Sequence, residues 1–303
     1  MGKKWKPKTK PAHPDLPLAK ETLAVARQDL DAAVCLYERG YYPQAVFFLQ
    51  QGVEKGWKAF GYHHGTITPE EARRKDCVGH KGARVGKMAF LKLRDIIGDR
   101  IRKVKEVRGC IGTPKTGDPT GIISYLDNLD ADLHWAQKEI DKVIDSPYPL
   151  TPGDLVKRLE RFRVEEQTEL RCESLIKSPE FDKKIEDIRA GAVKSAYAIV
   201  GDAPADRVRI KNTIYGTFDD QNLKTLLLSV MKGMVILNPL LYFAIITQEH
   251  ESPCRYPDKG RSPINEYTQD HTLIAYFPSV VHTAQACLEK MDELFQLPII
   301  GGQ

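Results

Sequence analysis

The chain has 303 residues, of which 42% are hydrophobic and 28% charged, and a formal net charge of +4. That is the composition of a soluble globular protein able to bury a substantial core, and so small a net charge does not by itself imply a polyanionic partner. Six cysteines without short paired spacings exclude a disulfide-stapled scaffold and point to a reducing, cytoplasmic compartment.

Residues 1–17 crowd Lys3, Lys4, Lys6, Lys8 and Lys10 among prolines and offer no apolar run of a secretory signal, so they read as a flexible basic arm. Beyond them the apolar residues recur with a helical period and no alternating strand pattern stands out, which predicts an all-α protein. A first helix is expected over Leu18 to Arg39, with Leu23, Leu30, Val34 and Tyr37 on one stripe and Gly40 as its stop. The second is expected from Pro43 to Tyr62, its stripe formed by Tyr42, Val46, Leu49, Val53, Trp57 and Phe60. So short a turn makes the two antiparallel, and Gly52 and Gly56, four apart, let a neighbouring backbone come close. A polar edge of Gln50, Gln51, Glu54, Lys55 and Lys58 runs along the same helix.

A basic helix over 82–107 and a Gly- and Pro-rich loop over 108–121 come next, followed by helices over 122–145, 152–176 and 179–200. Thr151 before Pro152, and Ser178 before Pro179, supply the start signals of the last two. Residues 201–221 read as irregular. The apolar stretch 226–247 is long enough to span a bilayer, but Lys232, Asn238 and Pro239 interrupt it, so it reads as a core helix and no membrane partner is expected. A proline-rich loop over 251–267 leads to a closing helix over 265–297, with Leu273, Ala275, Tyr276, Val280, Ala284, Cys287, Leu288, Met291, Leu294 and Phe295 facing inward.

The pattern ARQDLDAAVCLYERGYYPQAVFFLQQGVEKGWKAFGY, residues 26–62, resembles the first two helices of HEPN domains, nucleotide-binding helical domains of prokaryotes and higher eukaryotes. GHKGARVGKM, with His80, is similar to the family's short histidine segment, and CRYPDKG, with Arg255, Tyr256 and Pro257, to its Arg-Tyr-Pro loop. The resemblance marks Gln51, Glu54, Lys55, Lys58, Arg255, Tyr256 and Pro257 as family-motif positions. It implies an elaborated HEPN-like antiparallel helical bundle over 18–300, with a core at 18–90 and 250–297 and a helical insertion at 90–245. It also implies a homodimer and a place in defence or a toxin–antitoxin pair, as in abortive-infection members. Glu54 is expected either to face solvent with Lys58 or to pair with Arg255 and pin its loop.

Many HEPN domains are metal-independent ribonucleases with an R-x4-6-H motif, and Arg74 and His80 are spaced R-x5-H. A histidine moves the 2'-hydroxyl or leaving-group proton and an arginine stabilises charge on phosphate. With eight histidines and three allowed spacings, chance supplies roughly one such match. The motif also falls after the second helix rather than at the start of a late one. No phosphate loop, zincin or hydrolase motif competes, and neither a cofactor nor a metal is expected; Cys77 and His80 form a lone C-x-x-H.

The firmer functional feature is electrostatic. Arg94, Arg102 and Lys105 lie on the basic helix, and Arg207 and Arg209 sit in DRVRIK, a distribution that can track phosphates. Two classes follow: a protein that binds RNA or a nucleotide, or a non-catalytic dimeric scaffold whose inserted helices hold another protein.

Overall fold

The computed structural model describes residues 13–74, 82–88, 150–200, 220–250, 252–258 and 260–296, with scattered positions between them. Every regular element among these residues is a helix, beside one antiparallel bridge between Asp258 and Arg261. The fold is all-α, as the hydrophobic period predicts.

Helix α1 (Leu16–Glu38) starts where the Asp15 carboxylate accepts the Leu18 N–H at 3.1 Å. It ends as Gly40, at φ +78°, lets the Tyr41 N–H reach the Leu36 carbonyl and its own N–H the Tyr37 carbonyl, both at 2.9 Å. These two bonds are the Schellman closure, and only glycine takes that backbone conformation without steric cost. Helix α2 (Tyr42–His63) follows at once with Pro43 in its first turn. Helix α3 (Pro69–Arg73) is one short turn closed by a Thr68–Glu71 capping box. Residues 82–88 are helical, as are the described positions 91, 95, 98 and 102.

Helix α4 (Pro152–Ile176) begins where Thr151 Oγ1 accepts the Asp154 N–H at 3.1 Å, and α5 (Pro179–Val200) where Ser178 Oγ accepts that of Phe181 at 3.3 Å. Both starts fall where the threonine and serine predict them. Helix α6 (Asp220–Gln248) contains Pro239, and no helix among the described residues is long and apolar enough to cross a membrane. Its polar members are held by acids: Lys232 Nζ donates to Glu293 at 2.6 Å and Asn238 Nδ2 to Glu165 at 3.3 Å.

The closing segment departs from the continuous helix expected over 265–297. It is broken into α7 (Pro263–Glu266), α8 (Thr272–Ala275) and α9 (Phe277–Gln296). Pro278 lacks the N–H that an uninterrupted helix would need and sits instead in the first turn of α9. His271 Nδ1 meanwhile caps α8 by accepting the Leu273 N–H. The break also rotates the inner face: Ala275 is exposed, whereas Ile274 and Phe277 are buried. Residues 207–209, 211, 212 and 215, expected to be irregular, are helical.

The described residues fall into two compact units, one drawn from Met1–Lys92, Gln137–Glu166 and Lys232–Gln303, the other from Leu93–Ala136 and Gln167–Met231. In the first, α1 and α2 form an antiparallel hairpin against α9, burying Leu23, Leu30, Leu49, Trp57, Leu288 and Met291. Val34, Tyr37 and Tyr42, expected in the stripes, are only half-buried, and Tyr37 stacks on Phe277 at 4.8 Å. The two glycines of α2 serve different neighbours. A Cβ at Gly52 would stand 2.6 Å from Leu30 Cδ2 and 3.0 Å from the Ala26 carbonyl oxygen of α1, and one at Gly56 would stand 2.7 Å from Leu288 Cδ2 of α9.

This close approach sets the sign of a substitution. Gly52→Ala gains up to about 1 kcal/mol of helix propensity but overpacks a seam, which costs about 1–3 kcal/mol, so net destabilisation is expected. Gly191→Ala in α5, where nothing lies within 4 Å, keeps only the gain and is expected to stabilise. Urea midpoints of the two variants check the opposite signs.

Candidate functional site

The polar edge of α2 is an internal network. Glu54 is 3% exposed, and its carboxylate accepts from Gln50 Nε2 at 3.2 Å and Lys58 Nζ at 2.6 Å, while Gln51 Nε2 donates to Gln50 Oε1 at 2.7 Å. A carboxylate so buried would cost several kcal/mol unpaired, so a cation one turn away and an amide behind it meet its need. Lys55 reaches across to Asp29 of α1. The edge therefore ties α2 into its own hairpin.

Arg255 does not pin its loop through Glu54. Its guanidinium lies 4.9 Å from the Phe47 ring centre and 4.9 Å from that of Tyr256, and its Nη2 donates to the Tyr256 hydroxyl at 2.9 Å. The pairing considered from the sequence fails because Lys58 already neutralises Glu54, whereas the exposed arginine finds aromatic faces. Arg255, Tyr256 and Pro257 are all exposed.

Behind this loop lies a cluster that no local motif announces. His250 Nδ1 and the Tyr267 hydroxyl are 2.7 Å apart, and the His271 ring centre is 5.0 Å from Tyr267 and 5.5 Å from His250. The Cys254 thiol donates to the His250 carbonyl. Burial, reinforced by the neighbouring His271, pulls His250 down to about 4, and burial lowers His271 and raises the Tyr267 phenol. His63, 2% exposed, stacks on Phe295 at 4.0 Å and is likewise lowered by burial, against an opposing hydrogen bond that its ring donates to the Phe295 backbone. Burial thus favours the uncharged ring in all three histidines.

In the second unit, Arg207, Arg209 and Lys211 are all exposed. Arg207 lies 5.2 Å over the Tyr197 ring, whose hydroxyl donates to the Arg207 carbonyl at 3.0 Å. Lys211 lies 5.6 Å over the Tyr215 ring, whose hydroxyl donates to Glu186 at 2.6 Å. Two of the three cations thus have rings on or beside α5 under them. The charges are plain in the sequence and the rings under them are not, the one local signal being that Tyr197 and Tyr215 flank DRVRIK.

Arg102 is exposed on a helical position, and Arg94 and Lys105 lie outside the described residues. Arg74 is exposed in extended backbone just past α3, and its expected partner His80 also lies outside them, together with Cys77. Among the described residues no group of three metal-ligating side chains forms.

Residues 19–74, which take in α2, α3 and all but the first three residues of α1, match the model of the HEPN domain family. No curated protein and no solved structure matches the chain.

Proposed function

We propose that the chain binds RNA or a nucleotide, through a HEPN-like hairpin unit and a basic surface carried by residues 207–211. The observation that carries this reading is the set of exposed cations Arg207, Arg209 and Lys211, two of them held over tyrosine rings. A cation lying against a ring is partly dehydrated and restricted in rotamer, so less entropy is lost when it meets a phosphate. Each phosphate it neutralises releases counterions, the main drive of sequence-independent RNA binding. The family match over 19–74 agrees with an association to nucleic-acid binding in general. The homodimer, and a defence or toxin–antitoxin setting, belong to the reading through the resemblance.

The test is fluorescence anisotropy with single-stranded RNA at low salt. Replacing Arg207, Arg209 and Lys211 together by alanine is expected to weaken binding at least about tenfold, as loss of several phosphate contacts should, with the helical circular dichroism unchanged. The bound RNA is expected to stay full length in EDTA. Cleavage that disappears in His80→Ala would instead make the chain a metal-independent ribonuclease working through Arg74 and His80. A wild-type protein that binds no RNA would favour the scaffold, and pull-down of protein partners would follow.

A further inference from the structure

We infer that Phe47, Arg255 and Tyr256 form a stacking site for one unpaired RNA base and its phosphate. The inference rests on the RNA-binding reading and adds what form of RNA is taken and where a base sits. Arg255 is exposed, and of its five N–H donors one is spent within the protein, on the Tyr256 hydroxyl. Contact with two rings, 4.9 Å away in each case, together with the bond to the Tyr256 hydroxyl, restricts where the guanidinium can turn. Its remaining donors form a pre-oriented fork, the geometry that takes two phosphate oxygens at once.

Tyr256 supplies the other half. It is 57% exposed, a large ring left mostly in water beside a cation, and a nucleobase laid on such a surface gains stacking whatever its identity. An acidic peptide would use the guanidinium edge and leave the tyrosine idle, so the pair of features favours a nucleotide unit over a carboxylate. Bases in a duplex have their faces covered by their neighbours, and this restricts the site to single strands.

The loop is built to hold these two side chains still. The N–H groups of Arg255 and Tyr256 donate to the Ser252 carbonyl at 3.1 and 3.2 Å, and Cys254 donates from its backbone and its thiol to the His250 carbonyl. Pro257 fixes the next φ, and the Asp258–Arg261 bridge closes through Gly260 at φ +80°. Below it the buried contact of His250 with Tyr267 anchors the stem. A site already ordered before the ligand arrives loses little entropy on binding.

The experiment uses the full chain with a short RNA carrying 2-aminopurine, single-stranded or annealed to its complement. The single strand is expected to lose 2-aminopurine fluorescence on binding, and the duplex is not. Tyr256→Ser is expected to abolish the quenching and weaken single-strand binding about five- to hundredfold, while Tyr256→Phe keeps both. Arg255→Lys, which keeps the charge and loses the planar fork, is expected to weaken binding with less effect on quenching. Both residues are exposed, so these variants should fold, and matching circular dichroism confirms it. If Tyr256→Ser binds and quenches like wild type while the alanine variant at 207, 209 and 211 loses binding, the stacking site is wrong and the RNA reading stands. If wild type binds neither RNA, both fall.

Discussion

Trp57→Ala is expected to lower stability by about 3–5 kcal/mol, the usual cost of emptying a buried aromatic site. Trp57 is 2% exposed and lies where three segments meet: its own helix α2, the helical residues 82–88 and α6. A Cβ at Gly86 would stand 2.9 Å from Trp57 Cη2, and one at Gly82 would stand 3.4 Å from Trp57 Cδ1 and 3.7 Å from Ala244 Cβ. The helix at 82–88 therefore lies on the indole through two glycines one turn apart, and neighbouring backbone cannot readily collapse into the space left by its removal. Chemical unfolding followed by circular dichroism measures the loss. A drop under about 1 kcal/mol would mean that the segment repacks and the seam is not specific.

Acid is expected to destabilise the protein well above the range where carboxylates titrate. His250 is held at about 4 in the folded state against an ordinary value of 6.5. Its contribution is therefore full above about pH 6.5 and is lost as pH falls toward about 4, because the unfolded chain takes up the proton first. From about pH 7.5 to 5 this one group costs about 2 kcal/mol. His63 and His271 are shifted in the same direction by burial and add to the slope. The Glu249 carboxylate, 3.8 Å from His250 Nε2, would favour the charged ring, but it is half exposed and screened by solvent, so burial wins. Among the described residues the Tyr267 hydroxyl and His271 also face the ring, and the Cys254 thiol lies on the His250 carbonyl. His250→Gln, which retains a hydrogen-bonding side chain and cannot titrate, should flatten the urea-midpoint profile between these pH values. An unchanged profile would show that His250 is not buried as described.

What the sequence made legible was the part written in local signals. Gly40, Pro43, Thr151 with Pro152, and Ser178 with Pro179 mark helix ends that fall within about two residues of those observed, because caps act over one turn. Gly52 and Gly56 announced close approach, although not that they serve two different helices. The broken closing segment was harder to read, since apolar residues continue through Tyr276 and Phe277 and mask the break that Pro278 imposes. The partners of Glu54 and Arg255 turned on which cation reached the carboxylate first. That depends on how Arg255 lies against Phe47 of α2, and no spacing along the chain records it. The ring cluster at His250, Tyr267 and His271 is likewise assembled by the turns between α6 and α8.

The same division applies to the RNA surface. The charge of Arg207, Arg209 and Lys211 is plain in the sequence, whereas the rings beneath two of them are a matter of tertiary packing. The most direct measurement of their role is the salt dependence of single-stranded RNA binding, wild type against the triple alanine variant. Wild type should show a log–log slope steeper than the variant by about two, since each lost phosphate contact removes about 0.7. Equal slopes, or no binding by wild type even at the lowest salt, would contradict RNA recognition by this surface.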